Sequence, residues 1–242
     1  DGFYSPRISA GFTVNENHNF RASFQTGFRN PSTQDLYIGL DVGRAILVGG
    51  AADNLHRDIR TFSVADQTLS QFAANNIFGG QQSISFVGGN AYTNSFFASS
   101  VAGGFALTGN PADLKIANSN LPKPEQVSSI ELGYRGKVEG FIIDASAYYN
   151  AYKDFLANET VVAPFYGDVQ LTQTVPNTNT PLAIAAIANG DYQVYQTYTN
   201  SDVDINSYGA AVQVSTKVFD GFDLSANYTY AKLDFDVKGN PD

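Results

Sequence analysis

Apolar and polar residues alternate one for one from Arg7 to Arg29, broken once. Ile8, Ala10, Phe12 and Val14 interleave with Arg7, Ser9, Gly11 and Thr13. After the polar stretch Asn15, Glu16, Asn17 and His18 the alternation resumes. Phe20, Ala22, Phe24, Thr26 and Phe28 then fall on one side, with Arg21, Ser23, Gln25, Gly27 and Arg29 on the other. Period two is the signature of a strand with one apolar and one polar face. Runs of about ten residues exceed the roughly 5–6 usual for soluble strands.

The same unit recurs twice. Ser128, Ile130, Leu132 and Tyr134 alternate with Ser129, Glu131, Gly133 and Arg135 and turn through Gly136–Glu139. The return strand carries Phe141, Ile143, Ala145, Ala147 and Tyr149 on one face. Asp144, Ser146, Tyr148 and Asn150 take the other, with Ile142 as an apolar exception. The third unit sets Tyr208, Ala210, Val212, Val214 and Thr216 against Phe222, Leu224, Ala226, Tyr228 and Tyr230. Its turn is Phe219-Asp220-Gly221, with glycine available for positive φ. Upstream, Val203 and Ile205 fall in the opposite phase. Either a bulge near Asn206 resets the register or these residues stand outside an apolar band.

Short turns alternate with two long insertions, about 30–126 and about 153–205. All short turns therefore gather at one end of the strands and both insertions at the other. Inside the insertions, Leu36–Leu40 and Ile46–Val48 are expected to pack or form small strands, and Leu69–Ala74 a short helix. The run from Gly79 to Gly104 reads as hairpin-forming loop punctuated by paired glycines. The second insertion is acidic: Asp154, Glu159, Asp168, Asp191, Asp202 and Asp204 against Lys153. A cation site there competes with the plainer reading of a solvated outer surface.

Composition turns this pattern into a membrane reading. The 242 residues include 14 Lys+Arg and 23 Asp+Glu, a net charge of −9, which makes nucleic acid an unsuitable partner. Charged residues are only 15% and aromatics 13%, with 18 Phe, 14 Tyr and 22 Gly. No run of about 18 apolar residues offers a spanning helix. Long alternating strands, tight turns at one end and long loops at the other match an outer-membrane β-barrel wall. The expected fold is all-β, an antiparallel transmembrane β-barrel segment of about six strands with long extracellular loops. Its apolar rows face lipid, and an arginine at Phe24 is expected to be costly if that residue lies near the midplane.

Two stretches go beyond periodicity. Arg21, Ser23, Gly27-Phe28-Arg29, Pro31 and Asp35-Leu36-Tyr37 resemble the strand and loop R-x-S-x-x-x-G-F-R-x-P-x-x-x-D-L-Y of TonB-dependent outer-membrane receptors. Leu121 to Arg135, with Lys123-Pro124-Glu125 and Glu131-Leu132-Gly133-Tyr134, resembles that family's L-K-P-E-x-x-x-S-x-E-L-G-Y entry. Asp144 to Asn150 is similar to its D-A-S-A-Y-Y-N strand. The wording is nearest to receptors of the Bacteroidota type with a carboxypeptidase-regulatory-like N-terminal extension. The resemblance implies an internal piece of the barrel, with the plug and TonB box elsewhere. It also implies outer-membrane lipid as surroundings, the TonB complex as a partner reached through the plug region, and a small-molecule, peptide or glycan substrate. The rival is a non-transporting barrel or adhesin that binds partners through its loops.

Catalytic chemistry is scarce. Without Cys there are no thiolate sites. The two histidines, His18 and His56, join no recognisable motif, so no enzyme activity, cofactor or metal site is read. Asp202-Val203-Asp204 opens like a calcium loop, but Ser207 and Gln213 stand where glycine and glutamate are needed. It reads as a polar strand entry. The remaining candidates are polar-face residues at the insertion-proximal strand ends: Arg29, Tyr148, Asn150 and Tyr152. Arginine suits an anion through bidentate contacts. The four share one vestibule if the first insertion leaves their strands adjacent.

Overall fold

The computed structural model describes residues 3–117, 119–201 and 203–236. Two compact units emerge: Asp1–Asn30, Pro124–Phe155 and Ser201–Pro241 form one, and Pro31–Lys123 with Leu156–Asn200 the other. The first unit is a six-stranded antiparallel sheet. Its strands are β1 (Arg7–Asn15), β2 (His18–Arg29), β3 (Glu125–Val138), β4 (Phe141–Lys153), β5 (Asp204–Phe219) and β6 (Phe222–Asp236). They lie in chain order, so each pairs with its sequence neighbour. The meander leaves open edges at β1 and β6, and no barrel closes among the described strands. The short turns fall at Glu16-Asn17, Glu139-Gly140 and Asp220-Gly221. Glu139, Gly140 and Gly221 take positive φ there.

Register makes the two faces continuous. On the apolar face, Phe12, Phe20, Tyr134, Ala145, Val212 and Tyr228 stand in one cross-strand row. The next row is Ala10, Ala22, Leu132, Ala147, Ala210 and Tyr230. Phe20, Phe24 and Phe28 are 45, 40 and 44% exposed, so none is packed into a core. The opposite face is polar, with Arg135, Asp144, Gln213 and Asn227 in one row. Glycines there seat long side chains. A Cβ at Gly133 would lie 2.2 Å from Arg21 Nε, and one at Gly209 would lie 2.7 Å from the Tyr148 ring. Arg21 thus crosses β3 above Gly133 and comes within 3.9 Å of Asp144 on β4.

The apolar face has a definite height. On β4 it runs from Phe141 to Tyr149, eight steps of about 3.4 Å, or about 27 Å along the strand. A tilt near 40° reduces this to roughly 21 Å, close to the apolar band of about 25 Å on an outer-membrane barrel. The last apolar row is Ile8, Phe24, Ile130, Tyr149 and Tyr208, ending at Lys232. The following row, Thr26, Ser128, Ala151, Asn206 and Asp234, is largely polar. Tyr149 donates its hydroxyl to Asn206 Oδ1 across this boundary at 2.8 Å. Lys232 turns its ammonium to Asp234 at 3.1 Å. Phe28 lies beyond the boundary and stacks on Phe3 at 5.0 Å.

Past the boundary the faces invert. Val127, Tyr152, Ile205 and Phe235 form an apolar row on the otherwise polar face. The β4–β5 register is unbroken from Tyr152↔Ile205 to Phe141↔Thr216, so no bulge lies near Asn206. Ile205 stands outside the apolar band instead and is buried.

Both insertions fold, and they share one interior. A six-stranded sheet runs in the order 39–41, 46–48, 192–200, 156–164, 95–97, 116–117, interleaving strands from the two. Its 46–48 and 192–200 pair is parallel, an exception to the antiparallel rule elsewhere. Ile46, Val48, Phe62 and Phe86 of the first insertion bury against Val161, Phe165 and Tyr195 of the second. Residues 33–37 are helical instead of extended, because Ser32 and Asp35 form a reciprocal capping box. The expected short helix spans Gln71–Asn76, capped by Ser70.

The Gly79–Gly104 run is not a self-contained hairpin. Ser83–Val87 pairs back to Ile59–Ser63. Gly88 and Gly89 permit close approach: a Cβ would lie 2.5 Å from the Asp58 carboxylate at the first and 2.6 Å from the Leu55 carbonyl at the second. Gly103 and Gly104 belong to a π-helical stretch, Ser100–Phe105.

The acidic second insertion is not simply a solvated surface. Asp191 is fully buried. Its carboxylate accepts from the Ser70 amide at 2.6 Å, the Ser70 hydroxyl at 2.7 Å and the Tyr166 hydroxyl at 2.8 Å. One charge therefore ties the cap of a first-insertion helix to the second insertion. Asp202 lies outside the described residues, as does the side chain of Asp204.

Two substitutions in this interior should have opposite signs. Asp191→Ala strands three donors and should destabilise the insertion unit by about 3 kcal/mol or more. Tyr195→Phe removes a buried hydroxyl with no hydrogen-bond partner and should be neutral or stabilising. Amide hydrogen exchange over residues 46–48, 71–76 and 192–200 in the full-length protein reads both.

Candidate functional site

Three of the four candidates occupy consecutive positions on one face of β4. Tyr148 faces Glu131 and Gly209, Asn150 faces Ser129 and Ser207, and Tyr152 faces Val127 and Ile205. Asn150 Nδ2 donates to Ser207 Oγ at 3.0 Å, which fixes the amide. Tyr152 meets the edge of Phe155 with centroids 5.8 Å apart. Tyr148 lies over Gly209, its orientation set by the missing Cβ. The group offers two aromatic faces, an amide and hydroxyls within three rows.

Arg29 stands apart. It ends β2, and β3 separates that strand from β4, so the two are not adjacent. Two strand spacings put roughly 9–10 Å between their backbones. The first insertion departs after β2 and returns as β3, which is why its neighbour is β3. Arg29 also has a partner: its guanidinium meets Glu125 Oε2 at 2.8 Å, with Glu125 largely buried and Arg29 largely exposed. The ion pair joins the last residue of β2 to the first of β3, closing the root of the first insertion. An anion approaching Arg29 meets a charge already countered.

Two contributors escaped sequence reasoning. Glu125 figured only within a motif, and its cross-strand place opposite Arg29 follows from register. Ile205 left a signal in its reversed phase beside Asn206. Among the described residues no three His, Asp or Glu side chains gather as a metal site. Ser207 and Gln213 lie inside β5, so no twelve-residue calcium loop exists there. In the insertion unit, hydrogen bonds from Thr172 hold the Asp168 carboxyl below its usual range. Burial pushes the Tyr92, Tyr166 and Tyr195 hydroxyls up, so all three stay protonated; Tyr92 donates to the Val48 and Tyr198 carbonyls and Tyr166 to Asp191.

The family model for the TonB dependent receptor-like β-barrel matches residues 1–242. The chain belongs to this receptor family. TonB-dependent receptor barrels reside in the bacterial outer membrane, and this chain is a segment of such a wall. The match assigns no subtype. Among solved structures, the FrpB iron transporter from Neisseria meningitidis (F3-3 variant) is 13% identical, with a TM-score of 0.43 over 96% of this chain and 20% of that one. The copper transporter OprC is 10% identical, with a TM-score of 0.40 over 94% of this chain and 20% of that one. The chain thus spans about a fifth of either transporter. No curated protein matches it.

In a receptor barrel the apolar face meets lipid and the polar face meets the lumen. The rows place the midplane near Ala145 and Val212, with Phe24 at the band's edge. Val212→Arg should therefore cost about 2–4 kcal/mol, and Phe24→Arg only about 0–1 kcal/mol. Unfolding titrations of the full receptor in lipid bilayers check the order. Equal costs would mean that the band is centred elsewhere.

Proposed function

We propose that this segment lines the path of an outer-membrane importer, which binds its substrate from outside and draws energy from TonB through the receptor's plug region. One observation carries the reading. Over the height of the apolar band the six strands present a mostly apolar face to one side and a mostly polar face to the other, as a wall between hydrocarbon and a hydrated passage must. In this reading its task is recognition and passage.

Within that path, Tyr148, Asn150 and Tyr152 are the substrate contacts. They occupy the polar face at the ends of the strands away from the short turns, where an aromatic row begins. Tyr152 offers an apolar face with a hydroxyl at its edge, and Asn150 a fixed amide, a pairing suited to a polar ligand with a ring or flat amide. Arg29 contributes from the next strand pair through the donors that Glu125 leaves unused. The rival reading, a non-transporting barrel that binds partners, draws on the insertions having a packed interior of their own.

Uptake by cells carrying the full-length receptor tests this, with surface expression verified. Tyr152→Ala should lower uptake on the order of tenfold, equivalent to about 1.4 kcal/mol of lost binding. Arg29→Ala should cost less, because its charge is already paired. Removing TonB should abolish uptake in the wild type. Uptake unchanged in both variants removes these residues from the site, and uptake indifferent to TonB removes the energised mechanism.

A further inference from the structure

The insertion unit holds a polar cleft of about 510 Å³, lined by Ser99, Ser100, Gly103, Thr108, Asp113 and Lys115 among others. Its walls are the π-helical stretch Ser100–Phe105, the helical turn Ala106–Thr108 and the 3-10 turn Pro111–Asp113. A π-helical insertion is rare and frequently marks a functional position. The walls are fixed by hydrogen bonds among the lining residues and their neighbours. Ser100 Oγ donates to the Phe97 carbonyl at 2.7 Å and accepts the Lys115 amide at 3.0 Å. Thr108 holds the Asp113 carboxylate, and its hydroxyl also accepts the Asn110 amide at 3.0 Å. Gly104 lets the helix close on the 3-10 turn, since a Cβ there would lie 3.0 Å from Asp113 Cβ.

After this framework is satisfied, specific groups remain unspent. Lys115 is exposed and joins none of the ion pairs among the described residues. Asp113 keeps one carboxylate oxygen beyond the one that Thr108 engages. Ser99 is the N-cap residue but makes no side-chain cap bond. Gly103 faces open space, with nothing within 4 Å of where its Cβ would stand. One fixed negative charge and one free positive charge thus share a cleft without pairing with each other. A lone anion there meets the repulsion of Asp113, and a lone cation that of Lys115. A ligand carrying both charges gains at both ends.

We propose that this cleft binds zwitterionic ligands, α-amino acids or short peptides. The ligand carboxylate is received by Lys115 and the Ser99 hydroxyl, and its ammonium by Asp113. The glycine at 103 keeps the floor low enough for the ligand backbone, and Ala112 gives small side chains an apolar rest. The proposal does not rest on the β4 contacts.

Titration of the purified full-length receptor with tri-alanine, followed by saturation-transfer NMR, tests the assignment. Wild type should bind tri-alanine and bind its N-acetyl and C-amide derivatives at least tenfold more weakly. Lys115→Gln should lose the preference against the C-amide and keep the preference against the N-acetyl form. Asp113→Asn should do the reverse. Gly103→Leu, which has room for its side chain, should abolish binding without lowering the thermal midpoint. Failure of tri-alanine to bind, equal binding of the capped forms, or unchanged binding by Gly103→Leu would each overturn the proposal.

Discussion

Hydrocarbon leaves a peptide group no water to bond with, so every strand crossing the apolar band must find its partners in the strands beside it. That requirement governs β1 to β6. It holds the register without interruption across the β2–β3 and β4–β5 seams. Because side chains repeat every two residues, a slip of one would turn Phe20, Tyr134 and Ala145 into the lumen and bring Arg21 and Asp144 to lipid. Face and register are therefore one choice, made once for the whole sheet. Gly133 and Gly209 follow from the same constraint. With the backbone spacing fixed, Arg21 and Tyr148 can lie across a neighbouring strand only where that strand lacks a Cβ.

The insertion unit obeys a different rule. The four strands that the first insertion gives to the main sheet are two or three residues long and bury too little alone, so they pair onto the two nine-residue strands of the second. A buried carboxylate completes the join. Asp191 is tolerable at full burial only because three donors converge on it, two from Ser70 and one from Tyr166. The two Ser70 donors belong to the first insertion, so the second insertion, which holds Asp191 and Tyr166, cannot satisfy this charge fully by itself. The arrangement makes the second insertion conditional on the first.

The wall was legible in the sequence because its physics is local. Alternation names the faces and Asp220-Gly221 names its turn, whereas the turn expected over Gly136–Glu139 falls at Glu139-Gly140, because Gly136–Val138 continue the pairing of β3 with β4. Small strands form at Gly39–Asp41 and Ile46–Val48, as the apolar runs there suggest, but the helix Thr33–Tyr37 was not legible from them, because apolar residues without a clear period say only that something packs. The decisive signal there was the capping pair Ser32 and Asp35, three apart. The paired glycines also misled. Gly88 and Gly89 exist for close backbone approach to Asp58 and Leu55, contacts that no local pattern reveals. Asp191 looked like any other acid in an acidic loop. Of the candidate site, the β4 residues could be placed on one face by counting, whereas Arg29's partner depended on which strand returned beside β2.

The reversal beyond the Tyr149–Tyr208 row connects fold to function. Below it, apolar side chains face lipid and polar ones the lumen. Above it, the lipid-side parity carries Thr26, Ser128, Asn206 and Asp234, and the lumen-side parity carries Val127, Tyr152, Ile205 and Phe235. Once clear of hydrocarbon, the outer face gains nothing from apolar side chains, and water there favours polar ones. The inner face is then free to carry apolar and aromatic groups, which a purely polar lumen lower down does not offer. In the importer we propose, Tyr152 and Phe235 at this level would take up the apolar part of a ligand, and Asn150 and Ser207 one row below its polar atoms. The same unbroken strands thus carry an apolar barrier at one height and an inward apolar row at the next, the surface our proposal assigns to recognition, with no change of backbone between them.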